Sequence, residues 1–554
     1  MKLLSTLLLL LGFCGAAYAS HPLRHIRYIA SDGTIQQLEV PADAPFAKHH
    51  ADCPSCVGVY SRETRAMDAS TSDGLGKFGQ RSNGILNSIG KPNIPVIMVE
   101  FADVSFQPTT TAEKLDSIYN VQGYKMHNYS RGSVKDYFRA QSYGAFEPNF
   151  TVVTKVKLPK NRAYYGGNTS TYKTKNSYEM YMESIRLAIA KGVDFSQYKV
   201  DNGVPLVVLH HAGPGEHDSY EAGSEDYPWA HFSQSTTVQG GLTFQSYFMG
   251  SELMNTYKTT TVIKDGVSMT ETVRDANGYA IVDKSFLEGI GVFCHELSHA
   301  LGLPDTYATN GTSNETPDYH DLMDYAQYGY EGYRPFGYSA HQRSMMGWLD
   351  LKELTNVLGS YTLAPIGEVA LTDAPKGYVI RNSSNPNEYF ILENRQPSDY
   401  FTSNIGSGML IYQVNYDRFS WLGNSVNTDP YNLRYVVIPA DNQWQGNKNA
   451  KQADYKGDFF PGLQNVTEFS ATSTPAMVWK STVGEYRPLY NINQSSNGNI
   501  TFNYIGEGVN SIHSVEKTPD SNEPLWSIDG RKVNSRQIEP GLYIQEGRKI
   551  IINN

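Results

Sequence analysis

Residues 291–307 read "GVFCHELSHALGLPDTY": two histidines four apart bracket a glutamate, and a glycine, a proline and an aspartate follow. With 14 His in 554 residues, chance supplies H-E-x-x-H only about 0.02 times in a chain of this composition. Side chains at i and i+4 share one helical face. His295 and His299 can therefore hold one metal ion together, with Glu296 beside it as a general base. Gly302 permits the left-handed turn that ends a helix, and Pro304 keeps the helix from resuming. The chain is thereby turned so that Asp305 approaches the same ion. Two imidazoles and a carboxylate leave one position of a tetrahedral zinc open, the pattern of a catalytic site. Zinc acidifies water to a pKa of about 7 and polarises a carbonyl. Glu296 would take the proton and pass it to a leaving amine. The expected reaction is hydrolysis of an amide bond.

Upstream, "NIPVIMVEF" (93–101) is a compact apolar run bounded by Pro and Asp and predicts a buried strand. "SYEMYMESIRLAIAKG" (177–192) has helical spacing and a terminal glycine. "VPLVVLHHAGPGEHD" (204–218) is a strand running into a Gly/Pro turn. His210, His211 and His217 are expected to be strand-end and loop histidines beside a cleft rather than ligands. Strand, helix, strand and metal helix make an α/β catalytic domain, assigned to residues 91–355. From about residue 356 the pattern changes to short runs such as "YVIRNS", "EYFILENR", "GMLIYQVNY" and "RYVVIPA", separated by Asn, Asp, Gly and Pro. A β-sandwich-type domain over 356–506 is expected. Residues 507–554 then form a linker and a small C-terminal β segment, with a pair of strands around "PGLYI".

The N-terminus "MKLLSTLLLLLGFCGAAYAS" has a basic start, an apolar run and small residues at Ala17 and Ala19, and reads as a signal peptide over 1–19. Its apolar run is too short for a membrane span, and no later segment is apolar enough. Residues 20–90 are polar and rich in Gly and Ser, fitting a pro-segment or leader. Within it, "HHADCPSC" (49–56) offers Cys53 and Cys56: one of them blocks the open zinc position before processing, or the two form a local disulfide or stay as exposed thiols. Cys294 is expected to point into the core behind the metal. The net charge of −10 gives no basic footprint for nucleic acid. A secreted monomer acting on proteins or peptides is expected.

"HELSHALGLPDTY" followed by "YHDLMDYAQYGYEGYRPFGYSAHQRSMMGWL" strongly resembles the immune inhibitor A family of secreted bacterial zinc metallopeptidases. The resemblance extends to "NIPVIMVEFADVSF", "SVKDYFRAQSYGAFEPNFTV", "AGPGEHD", "YFILENRQ" and "GDFFPG". It implies a metzincin-like catalytic domain with His295, His299 and Asp305 as zinc ligands and Glu296 as the base. It further implies Met323 as the methionine of a turn beneath the metal, and Tyr325 as a donor to the oxyanion. Relatives often carry an Asp-rich, calcium-capable loop after the segment matching "DFSQY"; here it is the shortened "KVDNG", which leaves Asp194 and Asp201 as calcium candidates. The C-terminus resembles the end of sorting domains that carry proteins across a bacterial outer membrane. The competing class is a non-catalytic binding or adhesion protein with a vestigial metal site. Glu296 separates the two, because a vestigial site has no use for the base.

Overall fold

The computed structural model describes residues 73–79, 82, 84–169, 173–264, 267–367, 374–444, 454–481, 486–505, 525–527 and 531–533, together with the strand backbones at 24–29, 35–40, 541–545 and 548–552. It is a mixed α/β structure whose candidate catalytic region is built on one mainly parallel sheet. The strands are β1 (Asn93–Glu100), β2 (Asn149–Lys157), β3 (Val207–Pro214), β4 (Tyr247–Tyr257) and β5 (Val282–Leu287). Their order is β5-β4-β3-β1-β2, with β1 to β4 mutually parallel and β5 antiparallel at the edge. A short strand, His231–Ser233, also pairs antiparallel with β4.

The unbroken apolar run of β1 follows from its position, because a parallel strand inside an α/β layer is covered on both faces. Ile94, Val96 and Met98 enter the core on one side, and Ile97 and Val99 the core on the other. On the second side lies the helix Ser177–Ala190, through Met180, Tyr181, Ile185 and Ala188. On the first lies the candidate metal-binding helix Ile290–Ala300 (the metal helix), through Phe293, Cys294 and Leu297. Cys294 is thus a buried free thiol behind the site.

The first turn of the metal helix presses on the loop around Gln327–Tyr333. A Cβ at Gly291 would stand 1.8 Å from the Gln327 carbonyl oxygen, so no other residue fits. At the other end Gly302 has φ 101°, the left-handed turn that stops the helix.

Packing of the catalytic region begins before residue 91. Ile85 and Leu86 belong to the same core as the metal helix, and Leu86 N donates to Ala300 O at 2.9 Å. Ser88 Oγ donates to Met346 O, and Trp348 Nε1 to Ser88 O. This strap therefore buttresses the end of the helix. Farther upstream, Arg24–Ile29 and Ile35–Val40 pair as an antiparallel hairpin. No strand was expected there, although Asp32-Gly33 between two β-rich runs is a strong hairpin signal.

Between residues 352 and 504 the described residues form two sheets. The larger orders Lys352–Glu353, Gly377–Asn382, Asn385–Arg395, Gly408–Asn415 and Tyr435–Val437; the smaller orders Gly359–Leu363, Ile500–Tyr504 and Leu489–Gln494. They share one core containing Ile380, Phe390, Ile411, Leu489 and Phe502. The opposite face of the larger sheet, through Tyr389, Ile391, Leu410 and Tyr412, packs with Ala340 and Leu349 of the catalytic region. The larger sheet is therefore covered on both faces, and the two regions are joined through it. At the C-terminus four short strands rather than two form an antiparallel sheet: Leu525–Ser527, Lys532–Val533, Gly541–Gln545 and Arg548–Ile552. The extra strands are only three and two residues long, too short for a periodicity to register.

Candidate active site

His295 and His299 leave the same face of the metal helix, and the turn after Gly302 returns Asp305 to them. Asp305 Oδ1 stands 3.0 Å from His295 Nε2 and 3.3 Å from His299 Nε2. The two other ring nitrogens are already committed: His295 Nδ1 donates to Leu322 O at 2.9 Å and His299 Nδ1 to Leu303 O at 2.8 Å. These carbonyls fix the tautomer and aim both Nε2 atoms at one point. A neutral ring so held presents a lone pair to a carboxylate that has only lone pairs to offer. Without an ion the contact requires a protonated ring: burial opposes charge on His299, but Asp305 raises it to about 9, and a metal cation at the centre would take the place of that proton. Donors ~2.0–2.2 Å from a tetrahedral zinc stand roughly 3.3 Å from one another, so the observed separations fit such an ion. Burial opposes ionisation of Asp305, but the imidazoles of His299 and His295 hold its carboxyl well below the usual range.

Leu322 and Met323 shape the floor. Met323 is fully buried in the core beneath the metal helix, and its carbonyl accepts from Thr306 N at 2.9 Å, which ties the floor to the loop carrying Asp305. Asp305 is also gripped from the β-rich region. Its backbone N donates to Asn424 Oδ1 at 2.6 Å, and Asn424 Nδ2 donates to its Oδ2 at 2.7 Å. Asn424 takes φ 49°, a conformation Asn tolerates better than most residues. Asn427 Nδ2 reaches Thr306 O, and Thr309 Oγ1 reaches Asn424 O. No motif spacing could have exposed this grip, which spans 119 residues of sequence.

Glu296 is buried among charged and aromatic neighbours: His217, His231, His299 and Tyr307 all interact with it electrostatically. Tyr307 is hydrogen-bonded to Asp305, and burial keeps its phenol protonated well above the ordinary value, so it is available as a donor. It follows Asp305 by two residues, and that adjacency was its only sequence signal. Tyr325 instead begins a turn, Tyr325–Tyr328, and its ring lies 6.1 Å from those of Tyr319 and Tyr328. Burial and the neighbouring Asp324 raise its phenol to about 12.

The upstream histidines divide. His210 stacks on Phe106 and meets Tyr119 Oη at 2.9 Å, and burial lowers it to about 3. His211 is likewise lowered by burial to about 3. His217 differs, because its Nε2 meets Glu288 Oε1 at 2.7 Å and Glu288 is held in turn by Ser251 Oγ. Burial works against charge on this ring, but Glu288 and Asp218 raise it to about 9. Among the described residues His217, Asp218 and Glu288 form the second cluster compact enough to hold a metal, with ligand atoms within 4.8 Å, as in the His295, His299 and Asp305 group. The latter has two imidazoles whose far nitrogens already donate; the former has a single imidazole, whose far nitrogen Nδ1 accepts from Ala230 N at 3.4 Å.

Of the calcium candidates, Asp194 is exposed and caps a local turn by accepting from Ser196 N at 2.9 Å, and Asp201 lies at an exposed turn with φ 50°. Neither joins a metal-competent group among the described residues. Cys53, Cys56 and residues 1–19, where a signal peptide is expected, lie outside the described residues. Among the described residues no helix is long and apolar enough to cross a membrane.

The sequence around these residues has counterparts among known proteins. Residues 91–346 match the immune inhibitor A peptidase M6 catalytic domain. The M6 match spans the whole sheet, the metal helix, Asp305 and the Met323 floor. The chain is also 21% identical over 265 residues to "Immune inhibitor A" of Bacillus thuringiensis subsp. alesti, an alignment covering 41% of this chain and 35% of that protein. The chain thus spans about a third of the length of this curated relative. Asn424 lies beyond the end of the M6 match.

Proposed function

We infer that the protein is a secreted zinc-dependent endopeptidase that hydrolyses peptide bonds of proteins. The observation that carries this reading is the convergence of His295 Nε2, His299 Nε2 and Asp305 Oδ1 within 4.8 Å beside the carboxylate of Glu296. The M6 match over the same residues supports it. Zinc in this donor set supplies Lewis acidity for the carbonyl and for water. Glu296 takes a proton from the attacking water onto a carboxylate oxygen and returns it to the leaving amine. Leu322 and Leu303 hold the two rings in the tautomer a ligand needs, and Asn424 holds the third ligand. Tyr307 or Tyr325 would donate to the oxyanion; the hydrogen bond of Tyr307 to Asp305 favours the former.

The domain plan belongs to the same reading: a signal peptide, a leader, a metzincin-like catalytic domain to about 355, a sandwich-type domain to about 506 and a C-terminal β segment. The sheet with four parallel strands and an antiparallel edge, and the two later sheets with a common core, support the central part. Export is supported by the N-terminal sequence, and a monomer acting on protein substrates completes the proposal. The test is casein hydrolysis by the purified protein. Activity should stop with a chelator and return with zinc, and Glu296→Ala should be inert. Hydrolysis that survives complete removal of metal would sink the assignment.

A further inference from the structure

The segment Glu315–Asp324, between the Asp305 loop and the Met323 floor, holds a second group of oxygens that the reaction does not use. Thr316, Asp318 and Asp324 are 5%, 6% and 1% exposed. Asp318 Oδ1 and Asp324 Oδ1 are each buried without a hydrogen-bond partner, and the Thr316 hydroxyl, which donates to Asp324, keeps its lone pairs open. They are neighbours: Asp318 N donates to Asp324 Oδ2 at 2.8 Å, the two carboxylates act on each other, and the Thr316 hydroxyl faces Asp324. From the β-rich region Tyr455 is hydrogen-bonded to Asp318.

Two buried carboxylates and a buried hydroxyl with open lone pairs are costly to leave unsatisfied. The ionisable groups acting most strongly on the pair, apart from each other, are Glu315, Asp305, His295 and Tyr455, with no lysine or arginine among them. Two resolutions exist: the pair shares a proton, or a cation enters. Donors that are all oxygen select a hard ion, and calcium accepts irregular oxygen cages where magnesium demands a near-octahedral one. The geometry points to a calcium site formed by Thr316 Oγ1, Asp318 Oδ1 and Asp324 Oδ1, with backbone carbonyls and water completing the shell. Burial raises Asp318 to about 8 and Asp324 to about 6, so an empty site would hold a proton near neutral pH that the ion displaces. Asp321 Oδ2 is also buried and unpartnered, while its Oδ1 accepts from Met323 N and from Gln342 Nε2.

Its position gives the ion a structural role. The same segment supplies Leu322 O to His295 and Met323 O to Thr306. Calcium here would lock the loop that orients one zinc ligand and the loop that carries another, and Tyr455 would extend the lock to the β-rich region. The site lies far in sequence from Asp194 and Asp201, the candidates that sequence comparison suggests.

The test is terbium and calcium titration of the zinc-loaded full-length protein. Tyr319 and Tyr455, whose rings are 5.3 Å apart at the site, serve as sensitisers of terbium emission. The expected result is saturable emission that calcium displaces, and one calcium per chain by elemental analysis in addition to zinc. A calcium-dependent rise in the thermal midpoint should accompany it. Asp318→Asn should weaken calcium binding at least about tenfold with zinc content unchanged. Thr316→Val, which removes one ligand oxygen and preserves shape, should weaken it less; the pair Asp194→Asn with Asp201→Asn should not weaken it. No uptake by the parent protein at about 1 mM calcium, the weak end of extracellular sites, overturns the proposal in favour of a shared proton. So does binding that is unaltered in both Asp318→Asn and Thr316→Val, or binding lost with Asp194 and Asp201.

Discussion

Asn424 grips Asp305 with both ends of its amide, accepting from the backbone N at 2.6 Å and donating to Oδ2 at 2.7 Å. The third candidate ligand is thus oriented by a residue outside the M6 match. Partners of this kind typically contribute a factor of about 10–100 in metal affinity. Asn424→Gly keeps the positive φ and removes both hydrogen bonds. It should lower zinc affinity by that factor in a chelator competition, and unchanged affinity would show that the β-rich region has no part in the site.

Glu296→Ala removes the base and leaves all three ligands. Peptide hydrolysis should fall by roughly a hundredfold to ten-thousandfold while zinc stays stoichiometric. Nearly parental activity would defeat the assigned mechanism.

His299→Ala should behave differently, because it empties one ligand position. Loss of both zinc and activity is expected by elemental analysis and casein assay. One zinc per chain in this variant would remove His299 from the ligand set.

The ion pair of His217 with Glu288 makes a prediction about pH. The ring's pKa is raised on folding from an ordinary 6.5 to about 9. It therefore contributes stability that is fully present below about pH 6.5 and is lost as pH rises through about 9. The stability difference between the parent and His217→Gln, by urea unfolding, should be greatest near the acid end of that window and shrink across it. A constant difference would mean that the ring is neutral throughout.

Leu86 is 4% exposed in the core behind the metal helix. Leu86→Ala should cost about 2–5 kcal/mol in equilibrium unfolding, more than a leader residue has any reason to contribute. Truncation to residue 73 should be tolerated and truncation to residue 91 should not. Equal stability of the two truncations would show that the strap is dispensable.

Much of the site was legible because its information is local. H-E-x-x-H on a helix, a glycine with positive φ and a proline place three donors within eleven residues, and helical geometry alone brings the histidines together. The continuous run of β1 announced a strand covered on both faces for the same reason. What tertiary structure alone decided is everything that depends on residues meeting across long separations. The hold of Leu322 on His295, of Asn424 on Asp305 and of Leu86 on the end of the helix leaves no periodicity in the chain. The Asp318 and Asp324 pair reads locally as ordinary loop aspartates, since its meaning comes from burial without a partner. Tyr325 follows Met323 by two residues and Tyr307 follows Asp305 by two, and only packing sets the second phenol in a hydrogen bond to Asp305. Local sequence specifies which donors can share a face; only packing from distant segments specifies how firmly, and by what, each is held.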